Sequence, residues 1–176
     1  DTQIVSLTVT EGGYPVDDAT GAFEPSSPNA GPGSAVATLV EGLERRRSGS
    51  AAPITILSCD NVIGNGHVTE TAVKGCARSI GPELLTWIDE NVGFPNSMVD
   101  RITPASSPGD REWLLEQHQI DDQWPVVTEP FRQWVVEDAF AGDRPPLELL
   151  DVIVTEDVEP YELMKLRLLN AGHSCI

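Results

Sequence analysis

Basic residues are scarce in this 176-residue sequence: 11 Lys and Arg stand against 28 Asp and Glu, for a formal net charge of −17. This charge repels polyanions, so we expect neither a nucleic-acid partner nor an anionic membrane surface as a partner. The sequence also lacks a run of 18 or more apolar residues. It therefore predicts no membrane-spanning helix.

Cysteine is scarce as well. Cys59, Cys76 and Cys175 are an odd number of widely spaced thiols, which is a poor basis for a disulfide framework and is typical of a reducing compartment. We therefore predict a cytoplasmic protein. Zinc requires more, and more closely spaced, cysteine and histidine ligands than this sequence offers, so no metal site is predicted.

The glycine-rich loops that bind phosphate groups are absent. No G-x-G-x-x-G follows a predicted strand, and no G-x-x-x-x-G-K-[ST] occurs. If a nucleotide binds, its phosphate-binding half must lie outside these residues. The chain also starts with Asp1 beside a strand-like run and ends inside a predicted helix, so we expect a fragment of a longer protein; the alternative is a processed domain with tight ends.

The remaining pattern alternates strands with helices, which predicts an α/β fold with a largely parallel sheet. The apolar run at 54–58 is typical of a strand buried on both faces of such a sheet. Strands are predicted at residues 4–10, 54–58, 98–103, 126–136 and 152–154. Helices are predicted at residues 35–47, at 67–92 with a break at Gly81-Pro82, at 110–118 and at 160–174.

Polar residues lie at the carboxyl-terminal ends of three of the predicted strands. These clusters are Thr10–Tyr14, Cys59–Asn61 and Asp100–Arg101. Ligands of open α/β sheets bind at the carboxyl ends of the strands, so these clusters predict a binding site at that edge.

The last predicted helix carries polar residues on one face of an otherwise leucine-rich surface. Glu162, Lys165, Asn170 and His173 fall within an arc of roughly 140°. Buried polar groups need partners. From spacing alone, two interpretations stay open: a Glu162–Lys165 ion pair at i, i+3, with the other two residues bonded to a neighbouring loop, or a functional site.

Three segments together carry a family resemblance: SLTVTEGGY at 6–14, NSMVDRITP at 96–104 and YELMKLRLLNAGHS at 161–174. The sequence closely resembles the mannitol dehydrogenase family of polyol-specific long-chain dehydrogenases, and its K-x4-N-x2-H pattern is highly specific. The resemblance implies a Rossmann-like dinucleotide-binding domain with a mostly parallel sheet. It assigns residues 1–158 to the C-terminal half of that domain and residues 159–176 to the first helix of a helical C-terminal substrate domain.

The resemblance also implies catalytic roles. Lys165 corresponds to the family's general base, which works without zinc, and Asn61 and Asn170 correspond to its oxyanion hole. His173 corresponds to a histidine that orients the substrate, and Glu162 to a glutamate implicated in proton traffic. A lysine accepts a proton only in its neutral form, and burial among leucines favours that form.

For the cofactor, the resemblance implies NAD, with NADP left open. Asp100 corresponds to a residue that lines the active site near nicotinamide, and Thr10 and Glu11 lie where the cofactor passes. The expected reaction moves a hydride between the cofactor and a small-molecule hexitol/ketose pair such as mannitol and fructose. Two alternatives are a sugar-acid oxidoreductase for fructuronate and mannonate, and an inactive fragment without the phosphate-binding half. The TEGGY turn at 10–14, in place of a lysine-bearing turn, favours the polyol.

Overall fold

A computed structural model describes residues 2–165 of the chain. The described residues form two compact units, the first within Asp1–Val99 and Trp134–Ile176, the second at Asp100–Gln133. No helix within residues 2–165 has both the length and the apolar character needed to cross a membrane.

The strands form two three-stranded sheets, in the orders β1-β2-β3 and β4-β5-β6. Parallel pairing joins β1 to β2, with Ile4 opposite Thr55, and β5 to β6, with Val135 opposite Ile153. Strand β3 also runs parallel to β2. The predicted parallel α/β architecture is thus confirmed. The strands are β1 Ile4–Leu7, β2 Ile54–Ser58, β3 Val92–Gly93, β4 Ser97–Asp100, β5 Gln133–Glu137 and β6 Ile153–Thr155.

Within residues 2–165, five α-helices lie between or after these strands: α1 Ala35–Ser48, α2 Asn65–Ala77, α3 Pro82–Asn91, α4 Pro108–His118 and α5 Glu159–Met164. The Ser34 hydroxyl caps α1 by accepting the backbone N–H of Ala37. Val36, Val40 and Leu43 recur at helical spacing and form the buried face of α1. As the sequence predicts, Gly81-Pro82 separates α2 from α3.

Strand β2 is buried on both faces. Ile54 and Ile56 join a core cluster that includes the buried face of α1, whereas Leu57 joins a second cluster with Val136 and Val152. All five residues of β2 are buried. The apolar run at 54–58 therefore has the central position that its composition predicts.

Several predicted boundaries are wrong. The first strand ends at Leu7 instead of residue 10, because the Asp60 carboxylate takes the N–H groups that would continue the ladder. The strand predicted at 126–136 is confined to Gln133–Glu137. The strand predicted at 98–103 covers Ser97–Asp100, and the helix predicted to reach residue 92 ends one residue earlier, where β3 begins.

In the second unit, helix α4 begins with a capping box. The Ser107 hydroxyl accepts the N–H of Asp110, and the Asp110 carboxylate accepts the N–H of Ser107. Elsewhere in this unit, Glu129 accepts the N–H of Ile102 through its side chain and the Arg101 guanidinium through its backbone carbonyl. These contacts give the unit local order although α4 buries none of its residues.

Candidate active site

The carboxyl ends of β1 and β2 are joined by one side chain, that of Asp60. Its Oδ1 accepts the N–H of Thr10 at 2.8 Å, and its Oδ2 accepts the N–H of Val9 at 3.1 Å. The last backbone bond between the strands runs from Cys59 N to Leu7 O. The Asp60 carboxylate thus continues the sheet after the backbone ladder has ended, which is why the chain can turn away at Thr10.

Tyr14 adds a further hydrogen bond to this junction. Its hydroxyl donates to Oδ2 of Asp60 at 2.7 Å and lies 2.8 Å from Oγ of Ser58. The side chain is buried, and this burial is the main reason that the pKa of Tyr14 is raised to about 12. The Tyr14 hydroxyl therefore stays protonated and remains a donor to Asp60 throughout the physiological range.

A second junction joins the end of β2 to the start of β4. The fully buried amide of Asn65 donates to Asp60 O at 3.0 Å and to Ser97 O at 2.8 Å, and it accepts the N–H of Ser97 at 2.9 Å. The Ser97 hydroxyl adds a bond to the carbonyl of Ser58. Side chains therefore replace backbone pairing between these two chain segments.

Lys165, just beyond α5, reaches both joined segments with its amine. The Nζ atom lies 2.9 Å from Asn61 Oδ1 and 2.6 Å from the carbonyl oxygen of Val99. We call these two oxygens the lysine acceptor pair. The side chain of Lys165 is half-buried, and both acceptors are uncharged.

The contact with Lys165 fixes the orientation of the Asn61 amide. The amine of Lys165 donates to Asn61 Oδ1, so the carbonyl edge of the Asn61 amide faces the lysine. The NH2 edge then points elsewhere, where it lies 3.5 Å from Oε1 of Glu11. Asn61 is exposed, and it therefore presents hydrogen-bond donors to a ligand beside the lysine.

Glu162 bonds to the backbone and not to the neighbouring lysine. Its Oε1 accepts the N–H of Gly64 at 3.1 Å, and Gly64 has the left-handed backbone (φ 61°, ψ 39°) that glycine readily adopts. The Glu162 side chain is only 8% exposed, and this burial raises the pKa of its carboxyl above the ordinary range. Of the two interpretations left open by helix spacing, the i, i+3 ion pair is thus not the arrangement formed.

Two cavities meet at Asn61. The smaller, of about 30 Å³, has room for about one water molecule; its lining includes Asn61, Val99, Glu162 and Lys165. The larger, of about 330 Å³, has apolar and acidic walls. It is lined by Glu11, Tyr14, Val16, Asp17, Asp18, Gly21, Asn61, Val62, Ile63 and Val68.

The structure brings together part of the predicted site. Asn61, Lys165 and Glu162 line the smaller cavity, and Glu11 joins Asn61 at the larger one. Thr10 contributes its backbone N–H to Asp60. Asp100 is the last residue of β4 and belongs to the second unit, and Asn170 and His173 lie outside the described residues. The catalytic and cofactor-binding roles of all the predicted site residues stay predictions.

Sequence reasoning missed three connecting residues, Asp60, Tyr14 and Asn65. Asp60 and Tyr14 stand inside polar clusters that were singled out, but no pattern indicates that one bonds to the other. Asn65 lies between two glycines in what reads as a plain turn, and no sequence signal distinguishes it. Within residues 2–165, no group of three or more His, Cys, Asp and Glu side chains could hold a metal ion; zinc independence stays a prediction.

Comparison with known proteins identifies the fold family. Residues 1–149 match the family described as the mannitol dehydrogenase Rossmann domain. A solved structure, the ternary complex of Pseudomonas fluorescens mannitol 2-dehydrogenase with NAD and D-mannitol, has a TM-score of 0.89 and 45% sequence identity to this chain. The match covers 97% of this chain and 36% of that one.

Two curated relatives are similar along almost the whole sequence. Mannitol 2-dehydrogenase of Cereibacter sphaeroides is 50% identical over 182 residues, covering 99% of this chain and 38% of that protein. D-mannonate oxidoreductase of Escherichia coli (strain K12) is 44% identical over 181 residues, covering 98% and 37%. The chain therefore spans less than two fifths of the length of these relatives. With its parallel α/β architecture and this match over residues 1–149, the chain belongs to the mannitol dehydrogenase family.

Proposed function

We propose that this chain forms part of a nicotinamide-dependent dehydrogenase that oxidises a hexitol such as mannitol to its ketose, with Lys165 as the general base. The observation that carries the proposal is the 2.9 Å contact between Lys165 Nζ and Asn61 Oδ1. It sets a proton acceptor beside an exposed amide. The NH2 edge of that amide carries two N–H donors, of which one faces Glu11 Oε1 at 3.5 Å and the other can donate to a ligand oxygen. The relatives named mannitol 2-dehydrogenase support the same reaction.

The protein groups have separate tasks in this reaction. Neutral Lys165 accepts the proton of the substrate hydroxyl, and the NH2 edge of Asn61 donates to the oxygen as negative charge develops on it. Because the Asn61 amide is uncharged, it stabilises that oxygen without holding the lysine as a cation. Asn170 would supply a second donor and His173 would orient the substrate, as the family resemblance implies.

The cavity beside Asn61 fits the nicotinamide end of a dinucleotide. It combines apolar side chains such as Val62 and Val68, suited to a flat ring, with the polar groups of Glu11 and Asn61. Thr10 and Glu11 would hold that end, with Asp100 as a further contact. When bound, NAD, or alternatively NADP, supplies the acceptor for the hydride that leaves the alcohol carbon.

Glu162 is suited to move the proton onward from Lys165. The two side chains line the same small cavity, which has room for about one water molecule. Burial raises the pKa of the Glu162 carboxyl, which brings its proton affinity closer to that of a neutral-pH relay group. We propose that the proton passes from Lys165 through a water in this cavity to Glu162.

Because the substrate would bind next to the nicotinamide, the acidic wall of the larger cavity would also face the substrate and favour an uncharged one. Glu11, Asp17 and Asp18 all line it, and like charges facing a sugar-acid carboxylate would repel it. This observation supports a polyol over mannonate. The similarity to D-mannonate oxidoreductase supports the alternative, oxidation of mannonate to fructuronate.

Residues 1–158 are proposed to be the second half of the dinucleotide-binding domain, and residues 159–176 the first helix of a substrate domain. The relatives' greater length and the missing glycine-rich loop support this division. We therefore expect the isolated 176-residue chain to have no measurable dehydrogenase activity. Turnover of mannitol with NAD by this chain alone would refute that expectation.

We further propose a cytoplasmic location. Cys59 and Cys76 are free thiols, and burial raises the pKa of both, which keeps them protonated and slow to oxidise. Free, unpaired thiols are typical of a reducing compartment. Fractionation of the cells that produce the protein tests this location.

The function is tested with the full-length protein. NAD reduction should be followed with mannitol and, separately, with mannonate. We expect turnover of mannitol, and a loss of kcat of about 10²–10⁴-fold in Lys165→Met, because a general base contributes about this factor. Lys74→Met is the matched control, since Lys74 bonds to Glu70 and Asp89 instead of lining the site. Turnover of mannonate alone, or full activity of Lys165→Met, would contradict the proposal.

A further inference from the structure

Asn65 is a fully buried polar side chain that does not line either cavity at Asn61. Its amide makes four hydrogen bonds: three as a donor, to Asp60 O, Ser97 O and Ser97 Oγ, and one as an acceptor, from Ser97 N. A buried amide that satisfies backbone groups on two separate segments acts as a substitute for sheet pairing. No role in the reaction described above uses this residue.

These two segments are the ones that carry the lysine acceptor pair. Asp60 is followed directly by Asn61, and Ser97 lies two residues before Val99. Lys165 Nζ can lie 2.9 Å from Asn61 Oδ1 and 2.6 Å from Val99 O at the same time only if the two segments keep a fixed separation. Asn65 bonds to the same two segments, through Asp60 O and Ser97 O.

We propose that Asn65 is a positioning residue that sets the spacing of the lysine acceptor pair and thereby the location of the base. The inference rests on the proposed function in one respect, the identity of Lys165 as the base. It adds that the geometry of the base depends on a residue that touches neither substrate nor cofactor. Misplacing a reacting group by about 1 Å is enough to reduce a rate by about 100-fold.

The bonding pattern requires an asparagine. Aspartate has almost the same shape but no donors, so its carboxylate would face the two carbonyl oxygens of Asp60 and Ser97. Serine keeps one rotatable hydroxyl, which can bond to one segment but cannot span both. Asn65→Asp therefore breaks the bridge by repulsion, whereas Asn65→Ser breaks it because the shorter side chain cannot reach both segments.

The test uses the full-length protein with Asn65→Ser, Asn65→Asp and, as a control, Val40→Ala. Val40 is a buried residue of α1 in the main core cluster, so its truncation lowers thermal stability without touching the junction. The first measurements are kcat and the primary deuterium isotope effect on kcat with mannitol labelled at the reacting carbon. The second is a crystal structure of Asn65→Ser, read for the distances from Lys165 Nζ to Asn61 Oδ1 and Val99 O.

If Asn65 positions the base, kcat falls by about 10- to 100-fold in both Asn65 variants. The isotope effect rises, because the chemical step becomes rate-limiting. In the crystal structure, at least one of the two Lys165 contacts lengthens beyond hydrogen-bonding distance. Val40→Ala loses thermal stability but keeps the wild-type isotope effect, since a smaller folded fraction does not change the step that limits each active molecule.

The inference would be overturned if folded Asn65 variants kept the wild-type kcat and isotope effect, or if the Lys165 contacts were unchanged in the crystal structure. It would also be overturned if both variants failed to fold, because Asn65 would then act in folding alone. Absence of polyol turnover by the wild-type protein would instead contradict the proposed function. The crystallographic distances would still decide whether Asn65 sets the acceptor spacing.

Discussion

The hydroxyl of Tyr14 donates to Oδ2 of Asp60 at 2.7 Å and ties the turn after β1 to the loop after β2. The same carboxylate holds the backbone of Val9 and Thr10. An anion buried in this way needs several donors to remain stable, and here two backbone N–H groups and one phenol supply them. The junction is thus a single bonded unit that supports the position of Asn61.

Because the Tyr14 hydroxyl is buried, the free energy of unfolding is expected to decrease at alkaline pH. The pKa of Tyr14 is raised to about 12, against about 10 for a free tyrosine. The unfolded chain therefore loses this proton first, and the stabilisation is complete below pH 10 and is lost as the pH rises toward 12. We expect the wild type to lose about 2–3 kcal/mol more free energy of unfolding than Tyr14→Phe between pH 9 and 12. Urea denaturation across that range measures the difference.

Tyr161→Phe is the control for that experiment, since Tyr161 packs against a different cluster, the one around Met98 and Val135. It should follow the wild type at each pH. If Tyr14→Phe has the same alkaline profile as the wild type, the phenol does not retain its proton in the folded state, and the described role of the contact is wrong.

The amide of Asn61 gives a second prediction. In the full-length protein, the proposed role of Asn61 predicts that Asn61→Ala lowers kcat by about 10²–10³-fold, because it would remove a donor to the developing oxyanion. Asn61→Asp should be at least as damaging, since a carboxylate faces the oxyanion with negative charge and holds Lys165 as a cation. Steady-state kinetics with mannitol measure both effects.

The control is Asn91→Ala, which removes an amide that bonds to the carbonyl of Trp87 within α3. Its kcat should match the wild type. Equal losses in Asn61→Ala and Asn91→Ala would attribute the effect to stability and not to the reacting oxygen.

Because the Glu162 carboxyl is buried, we expect the uncharged variant Glu162→Gln to be more stable than the wild type by an amount that depends on pH. Because burial raises its pKa, the folded state holds this proton more tightly than the unfolded chain, and stability decreases as pH rises through the folded pKa. Glu162→Gln keeps an oxygen for the N–H of Gly64 and removes the charge. We expect it to unfold at higher denaturant concentration than the wild type at pH 7, with the gap closing below the ordinary pKa of a carboxyl.

Glu159→Gln, also in α5 but exposed, is the matched control and should show a smaller gap at pH 7. A destabilised Glu162→Gln at pH 7 would mean that the ionised carboxylate strengthens its bond to Gly64 by more than burial costs. Full-length kinetics of the same variant then report on the proton relay separately from stability.

Two glycines should respond oppositely to alanine. At Gly66, a Cβ would meet the carbonyl oxygen of Phe94 and lie 2.7 Å from that of Pro95, and backbone atoms cannot easily move aside. We expect Gly66→Ala to destabilise the fold by about 1–3 kcal/mol. At Gly42, inside α1, a Cβ has nothing within 4 Å, so Gly42→Ala should stabilise by up to about 1 kcal/mol. Thermal denaturation of both variants, in parallel, checks this opposite pair of signs.

Much of the architecture could be predicted because hydrophobic periodicity and breaks at glycine and proline are local features of the sequence. The apolar run of β2, the helix predicted at 35–47 and the Gly81-Pro82 break all match the elements that the structure forms. The prediction that β1 and β2 end in one polar site is also supported, since Asp60 joins them. Residues 126–132 read as a strand because of their apolar content, but β-propensity depends on pairing partners, and β5 begins only at Gln133.

The connecting residues could not be predicted for a physical reason. Asn65 bonds to Ser97 across 32 positions of sequence, and Lys165 bonds to Asn61 across 104. Such contacts depend on where the fold brings distant segments, which no local pattern records. The family resemblance pointed to Lys165 and Asn61, whereas the residues that hold them in place can be identified only from the three-dimensional structure.

Thr10 has a backbone conformation (φ 69°, ψ 164°) that is populated almost entirely by glycine. An engineer seeking thermostability would replace it with glycine and relieve a strain of about 1–3 kcal/mol. Such a variant would also release the turn that carries Glu11, so greater heat resistance would come with a looser pocket. Selection for thermal tolerance alone would therefore favour glycine at this position, at the expense of the geometry of the turn that carries Glu11.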